Sequence, residues 1–384
     1  MLKVEPPSGI FVRSAFSGTI NTIISELMER TAMTEIIPPE VSDFYKVLPK
    51  IELHRHLEGS LRVPTMMEIV RAHEMDVKNT GYLRPLVQVD HDEPYTFENF
   101  LSKFGTLRLF YKSPDIIKRV SWEAVEDAAL DNVRYMELRF TPAALSRAQG
   151  FPMAQVVDWV IESVHQAADH FQVMVRLIIS INRHESLDIA GEGLEIAMAR
   201  KKDGIVGVDL AGNEAEFSAE PFRDLFEEAR QGGLRVTIHA GEWSGAENVR
   251  QAIEDLGADR IGHGIRVLED PRVVALARER GTVFEVCVTS NLHSGVVDKV
   301  SDHPIVKMIE SGLNVTINTD DPSISRINLS SEYQTVHKDL GISMDMIGTR
   351  VKAAAQGAFL PAELRSKLAN AIEKEFMRRL ILPD

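Results

Sequence analysis

The stretch KIELHRH, residues 50–56, has the apolar alternation of a buried β-strand and carries two histidines at its carboxyl end. In a strand, alternate side chains point to the same face, so His54 and His56 would project side by side from one surface. Such a pair can share a metal ion, although two half-exposed imidazoles at a strand end are the commoner case. The rest of the chain has to distinguish these interpretations.

Seven further apolar or β-branched runs follow, and segments with helical periodicity separate them. They occupy residues 133–140, 173–180, 204–211, 234–240, 260–264, 282–288 and 313–319. Strands that alternate with helices predict a parallel sheet of βα units, and eight such units close a barrel. We therefore predict an α/β fold: a single (β/α)8 TIM barrel domain over residues 46–384, preceded by a helical N-terminal extension over residues 1–45.

The segment between the first two predicted strands, residues 60–131, is longer than one helix requires. In a barrel, such an insertion follows the carboxyl end of a strand, where active sites are built, so its helices could act as a lid. The run FENFLSKFGTLRLF offers four candidates for the inner face of the lid: Phe97, Phe100, Phe104 and Leu107. Ordinary packing of extra helices is the alternative for each.

The 384-residue chain is acidic, with a formal net charge of −14, and it contains no dense run of Lys or Arg. Such a surface repels the phosphates of nucleic acids and of anionic lipids, so we expect neither as a partner. No apolar run reaches about 18 residues, the length of a membrane-spanning helix, and we expect a cytoplasmic protein. The single cysteine, Cys287, excludes multi-cysteine metal sites, so a metal would need His and carboxylate ligands.

Polar residues gather at the carboxyl ends of the predicted strands. They are His54, His56, His239, His263, Asp320 and Asp321. In a barrel these strand ends converge on one rim, so the side chains can meet. In the run LRVTIHA, alternation places Arg235, Thr237 and His239 on one face, which we expect to face the pocket.

Three of these histidines and one carboxylate would form a nitrogen-rich shell suited to Zn²⁺, with a position left for water. The four residues are His54, His56, His239 and Asp320. A divalent metal lowers the pKa of bound water from about 15.7 to about 7 and supplies hydroxide at neutral pH, so the expected function is hydrolytic. Glu242, His263 and Asp321 could assist catalysis. Their alternative interpretations are a carboxylate at a helix N-terminus, a buried hydrogen-bonded histidine and a helix cap.

Five motifs occur in the order and spacing of the adenosine deaminase family, within the metal-dependent amidohydrolases. They are PKIELHRHLEGS (49–60), GVDLAGNE (207–214), HAGE (239–242), RIGHG (260–264) and NTDDP (318–322). The chain resembles this family from about residue 47 to its C-terminus. The resemblance implies an adenosine aminohydrolase, which converts adenosine or 2′-deoxyadenosine to the inosine product and ammonia.

The resemblance also implies roles for individual residues. The ligands of one Zn²⁺ per chain would be His54, His56, His239 and Asp320. Glu242 resembles the residue that protonates purine N1, and His263 resembles the group that, helped by Asp320, orients and deprotonates the attacking water. The substrate-binding residues would be His56, Glu58, Gly212 through its N–H to N3, and Asp321 at N7.

One position departs from the family pattern. Many adenosine deaminases read HLDG where this chain reads HLEG, and that aspartate is associated with the ribose 5′-hydroxyl. The adenine deaminase branch often carries glutamate there, as Glu58 does here, whereas GVDLAGNE resembles the adenosine branch. The alternatives are therefore adenine, 5′-methylthioadenosine or another modified adenosine as substrate, and, from another class, a catalytically silent binding protein.

Overall fold

The computed structural model describes residues 41–381, which all belong to one compact unit. The predicted helical extension, residues 1–45, lies outside these residues except at its end, where a short helix, α1, spans Asp43–Lys46. The division between extension and barrel domain therefore stays a prediction. Within residues 41–381, no helix combines the length and the apolar character needed to span a membrane.

Eight parallel strands within the described residues form one sheet, in which each strand pairs with the next along the chain. They are β1 Lys50–His56, β2 Val133–Phe140, β3 Met174–Asn182, β4 Ile205–Ala211, β5 Arg235–Ala240, β6 Arg260–His263, β7 Val283–Val286 and β8 Asn314–Ile317. The predicted (β/α)8 barrel is confirmed. The predicted seventh strand is too long, because a helix begins at Val288.

Helices surround the sheet and connect consecutive strands. After α1 they are α2 Val63–Ala72, α3 Thr80–Val87, α4 Phe97–Leu107, α5 Pro114–Leu130, α6 Pro142–Arg147, α7 Met153–Phe171, α8 Leu187–Ala199, α9 Arg223–Gln231, α10 Ala246–Glu254, α11 Pro271–Arg280, α12 Val288–His293, α13 Ile305–Glu310, α14 Pro322–Ser325, α15 Leu329–Lys338, α16 Met344–Gly357 and α17 Ala362–Ile381. Parallel pairing requires such crossovers. The connection from β1 to β2 is the longest, since it holds α2 to α5.

Strand β5 shows how alternation positions the site. Its apolar residues Val236 and Ile238 are fully buried in the core, while Thr237 and His239 lie on the inner side of the barrel. The expectation that this whole polar face reaches the pocket is wrong for two residues. Thr237 is bonded inside the barrel below the cavity, and Arg235 is exposed at the opposite end of the strand.

The barrel closes where β1 meets the end of β8. A single bridge joins Arg55 to Asp320, with His56 N donating to Asp320 O and Asp320 N donating to His54 O, each at 2.9 Å. The register of β1 against β2 also shifts between Glu52 and Arg55. Irregular pairing of this kind redirects side chains beside active sites. Here it surrounds His54.

Helix α4 of the β1–β2 insertion lies over the carboxyl end of the barrel. Phe100 and Phe104 line the central cavity, as predicted for a lid. Phe97 lies beside that cavity and packs on Trp243, with the ring centroids 5.5 Å apart. Leu107 is buried in the core and does not line the cavity, so the prediction is wrong for this residue.

Candidate active site

The four residues predicted as metal ligands converge at the carboxyl end of the barrel. The Nε2 atoms of His54 and His56 lie 3.1 and 3.3 Å from Asp320 Oδ1. The Nε2 atoms of His56 and His239 lie 3.3 Å apart. All four side chains are buried. The convergence of strand ends therefore brings together residues from β1, β5 and the turn after β8.

Carboxylates hold two of these rings from behind. His54 Nδ1 bonds Glu285 Oε2 at 2.8 Å, and His239 Nδ1 bonds Asp209 Oδ1 at 3.0 Å. A ring that donates from Nδ1 to a carboxylate presents the lone pair of Nε2. This is the usual arrangement of metal-binding histidines, because it fixes both tautomer and ring orientation.

The electrostatics of the cluster fit a bound cation. His54 Nε2 is buried and makes no hydrogen bond, despite its approach to Asp320 Oδ1. Burial lowers the pKa of His56 well below its ordinary value, although the nearby Asp320 charge opposes this shift. Burial works against ionisation of Asp320, but His54 and the other imidazoles hold its pKa well below the usual range. A carboxylate and imidazole nitrogens that converge in this way are a donor set for a divalent metal.

His263 lies beside this cluster, with its Nε2 atom 3.9 Å from Asp320 Oδ2 and 3.7 Å from Glu242 Oε2. His263 and Asp320 have backbone φ values of 58° and 68°, which non-glycine residues rarely adopt and which concentrate at functional sites. Another possible ligand grouping among the described residues includes His263 but not His56. The shorter approach of His56 Nε2 to Asp320 favours His56 as the ligand.

Glu242 follows β5 and points into the same cavity. It does not begin a helix, because α10 starts at Ala246, so that alternative interpretation is wrong. Its Oε1 atom accepts a hydrogen bond from Ser294 Oγ at 3.4 Å. Burial, with Asp320 and Glu214 nearby, raises the pKa of Glu242 well above its ordinary value. This shift favours the protonated acid over the carboxylate.

Glu214 holds the loop that carries Glu242. Its carboxylate accepts hydrogen bonds from five groups of that loop and the helix after it: the N–H groups of Gly241, Glu242, Trp243 and Ser244 at 2.6–3.0 Å, and Asn248 Nδ2 at 3.1 Å. Glu214 itself follows β4. It therefore fixes the position of the Glu242 backbone from a neighbouring strand end.

Asp321 lines the cavity with a buried Oδ1 atom that has no hydrogen-bond partner. Burial, followed by the charges of Asp320 and Glu58, raises the pKa of Asp321 well above its ordinary value. Asp321 precedes α14, but its side chain caps no helix amide, so the cap interpretation is wrong. A Cβ atom at Gly59 would overlap the Asp321 carboxylate, which explains why glycine stands there.

The far wall of the cavity carries further unpartnered polar atoms. Glu58 Oε1 accepts from Thr141 N at 2.8 Å, while its buried Oε2 atom has no partner. Arg108, just after α4, lines the same cavity, and its buried Nε atom also has no partner. Gly212 lines the opposite side with a φ of 95°, a conformation that favours glycine.

Charged residues that were not predicted from the sequence lie beneath the site. Arg139 and Glu285 are fully buried, and Arg139 Nη2 donates to Glu285 Oε2 at 2.7 Å. Arg139 Nη1 also lies 3.5 Å from Asp209 Oδ2. The sequence does contain a signal for such a pair. Glu285 in TVFEVCV is a charged residue at an inward position of an apolar strand, and a buried charge has to be paired. The missing information was which strand supplies the partner.

Comparisons with known proteins agree with this site. Residues 49–375 match the family model described as adenosine deaminase. An adenosine deaminase from Clostridium perfringens (strain SM101) is 36% identical over 327 residues, or 85% of this chain and 98% of that protein. An adenosine deaminase from Erwinia tasmaniensis is 37% identical over 328 residues, or 84% of this chain and 98% of that protein.

Solved structures are also similar. An adenine deaminase from Arthrobacter aurescens aligns with a TM-score of 0.80 and 26% identity, over 86% of this chain and 99% of that chain. A Burkholderia ambifaria amidohydrolase with bound Zn aligns with a TM-score of 0.80 and 27% identity, over 90% of this chain and 96% of that chain. An Arabidopsis N6-mAMP deaminase aligns with a TM-score of 0.78 and 26% identity, over 87% of this chain and 100% of that chain. The family match over most of the chain and the relatives above 35% identity are decisive: the chain belongs to the adenosine deaminase family of hydrolases.

Proposed function

We propose that this enzyme deaminates adenosine and 2′-deoxyadenosine hydrolytically, giving inosine or 2′-deoxyinosine and ammonia. One Zn²⁺ per chain would be held by His54, His56, His239 and Asp320, whose geometry suits a divalent metal. When bound there, the metal would supply a water molecule of lowered pKa. The bound zinc of the Burkholderia amidohydrolase supports this choice of metal.

The directions of the pKa shifts of the buried acids suit a purine. Water can attack C6 only if N1 is protonated, because the attack breaks the conjugation of the ring. Glu242 would donate a proton to N1, and burial favours its protonated form by raising its pKa. N7 is an acceptor and needs a donor, and Asp321 would be that donor in its protonated form, which burial favours by raising its pKa. The N–H of Gly212 would donate to N3, and His263 with Asp320 would orient the attacking water.

The unpartnered atoms of Glu58 and Arg108 are the observation that carries the choice of a nucleoside. An unsatisfied buried polar group costs about 1–3 kcal/mol, and a ribose hydroxyl can satisfy both a carboxylate oxygen and a guanidinium N–H. His56 and Glu58 would thus line the sugar side. Free adenine would leave both atoms unpaired, and 5′-methylthioadenosine would place an apolar group against them.

A 5′-phosphate fits this wall less well than a hydroxyl. Its negative charge would meet the Glu58 carboxylate, with Arg108 as the cation that lines the same wall. The identities point the same way, since the adenosine deaminases share 36–37% with this chain and the Arabidopsis N6-mAMP deaminase shares 26%. A silent binding protein is disfavoured because Glu242, His263 and the proposed metal ligands are all present.

The test is ammonia release and the ultraviolet change of the purine, measured on protein of known zinc content. The substrates are adenosine, 2′-deoxyadenosine, adenine, 5′-methylthioadenosine and AMP. We expect the highest kcat/KM for the first two. A preference for adenine or the thioether would contradict the nucleoside assignment, and no turnover at full zinc occupancy would favour the binding protein.

A variant of Arg108 tests the sugar wall directly. Arg108→Met should lower kcat/KM for adenosine about tenfold, roughly the value of one hydrogen bond to a charged group, and leave adenine turnover unchanged. The control is Leu109→Met, an exposed neighbour in the same segment. An equal loss on both substrates would show that Arg108 does not face the sugar.

A further inference from the structure

Two buried side chains link His263 to a helix amide. Asn291 lies on α12, and His303 lies two residues before Ile305, the first residue of α13. Ile305 N is 3.1 Å from His303 Nδ1, and His303 Nε2 is 3.2 Å from Asn291 Oδ1. Asn291 Nδ2 is 3.1 Å from His263 Nδ1. The three hydrogen bonds form an unbroken chain from the backbone to the candidate active site.

The backbone fixes the direction of every bond in this chain. The N–H of Ile305 can only donate, so His303 Nδ1 accepts, and the proton of the neutral His303 ring must sit on Nε2. Burial lowers the pKa of His303 to about 3, so the ring is neutral at physiological pH. His303 Nε2 then donates to the carbonyl of Asn291. The amide nitrogen of Asn291 is left to donate to His263 Nδ1.

We propose that Ile305, His303 and Asn291 hold His263 as the Nε2–H tautomer, so that its cavity-facing nitrogen is a hydrogen-bond donor. In this state Nε2 has no lone pair with which to take a proton from water. Nδ1 cannot take one either, because the Asn291 NH₂ group occupies its lone pair. Asn291 and His303 are thus positioning residues that act through His263.

This inference rests on the proposed function and refines one role within it. A donor at His263 Nε2 would stabilise the oxygen that forms a bond to C6. The water proton then goes to the Asp320 carboxylate and on to the leaving amine, which departs as ammonia. Glu242 gives its proton to N1 and is restored by the second water proton, which leaves the C6 carbonyl.

The tautomer can be measured without substrate. In zinc-loaded protein with ¹⁵N-labelled histidine, the imidazole ¹⁵N shifts and couplings distinguish protonated from unprotonated ring nitrogens. His263 is assigned by the loss of its signals in His263→Gln. We expect a protonated Nε2 and an unprotonated Nδ1, and an Nδ1–H tautomer or an imidazolium would overturn the inference. The measurement holds whichever 6-aminopurine is the substrate, so it can fail independently of the proposed function.

Asn291→Asp is the sharpest variant, because it keeps the shape and replaces the donor by an acceptor. We expect the His263 proton to move to Nδ1, and kcat to fall about 10²-fold or more with KM nearly unchanged. Zinc content and thermal unfolding serve as checks on folding. Wild-type shifts and wild-type turnover in this variant would overturn the inference.

A pair of His303 variants decides the matter if Asn291→Asp does not fold. His303→Gln places an amide N–H where Nε2 stood, so it should preserve the His263 tautomer and most of the turnover. His303→Phe keeps a ring but removes the donor, so it should lose both. If His263 had the same tautomer and kcat were the same in both variants, His303 would not be a positioning residue for His263.

Discussion

At the scale of single residues, Glu242 shows how burial shifts an acid towards its protonated form. The raised pKa of Glu242 lowers the stability of the fold at higher pH. An acid whose pKa rises on folding stabilises the protein below its unfolded pKa, which is about 4.3 for Glu. That contribution is lost as the pH rises through the folded pKa. Glu242→Gln should therefore abolish most turnover and retain zinc. It should also unfold at a higher temperature than wild type at about pH 8, with little difference at about pH 4.

Thermal unfolding across this pH range, with zinc analysis, checks the prediction. Glu228→Gln, an exposed glutamate on α9, is the matched control and should follow wild type throughout. Normal turnover of Glu242→Gln would remove Glu242 from the mechanism. A constant difference in unfolding temperature across the range would mean that the Glu242 pKa is not raised.

Glu214 should matter for rate through position alone. Glu214→Gln turns one carboxylate oxygen into an NH₂ group that faces backbone N–H donors, so the loop carrying Glu242 has to shift. Misplacement of a catalytic group by about 1 Å can cost about 10²-fold in rate, so we expect a loss of that order in kcat with zinc retained. Steady-state kinetics with Glu216→Gln, an exposed neighbour, as control test this. Unchanged kcat would show that the loop holds its place without Glu214.

The sequence predicted the proposed ligands better than their supports. His54, His56, His239 and Asp320 were recognisable because they occur at strand ends, and barrel geometry gathers strand ends on one rim. Glu214 and Arg108 were not, because their roles depend on which loop or cavity wall they meet. That choice is made by tertiary packing.

At the scale of elements, the strands were predictable from the sequence, whereas the cavity-facing side of α4 was only partly predictable. Each strand has a β-rich run bounded by helical periodicity, and the runs match within a few residues. In α4 the inward face was recognised at Phe100 and Phe104 but misjudged at Leu107. An amphipathic helix shows which side is apolar. It does not show where the core ends and the cavity begins.

The cavity-facing side of α4 allows a quantitative prediction. Phe104→Ala removes a side chain that lines the cavity, and burial of a Phe side chain contributes about 1.5–3 kcal/mol. If half of that is realised against the substrate, KM for adenosine should rise between about threefold and tenfold, with zinc content unchanged. Leu109→Ala, exposed just beyond the lid, is the control. The same KM in both variants would show that α4 does not contact the substrate.

At the scale of the whole molecule, Glu285 on β7 joins strands across the barrel interior. Its carboxylate bonds His54 from β1, Arg139 from β2, Thr237 from β5 and Arg260 from β6. Burial opposes its ionisation, but Arg139 and Arg260 hold the pKa of Glu285 well below the usual range. A depressed carboxyl pKa stabilises the fold above the unfolded pKa and loses that contribution as the pH falls.

Glu285→Gln should therefore weaken both stability and metal binding. Breaking a buried ion pair costs about 3–5 kcal/mol, and loss of a carboxylate behind a metal-binding histidine costs about 10–100-fold in affinity. Denaturant unfolding of the metal-free protein and competitive zinc titration measure the two effects separately. Glu279→Gln, exposed on α11, is the control. Wild-type values for both quantities would mean that the network has no role in either.

The closure of the barrel also bears on how the protein is made. Next to the bridge between Arg55 and Asp320, Leu53 N bonds the Asn318 side chain 265 positions away. Contacts so distant in sequence form late, because the entropy of bringing the two segments together has to be overcome first. A nascent chain on the ribosome would carry His54 and His56 long before Asp320 is synthesised. Enzymatic activity should then appear only once the eighth strand has docked. Metal that binds the proposed ligands at that stage would stabilise the closed barrel.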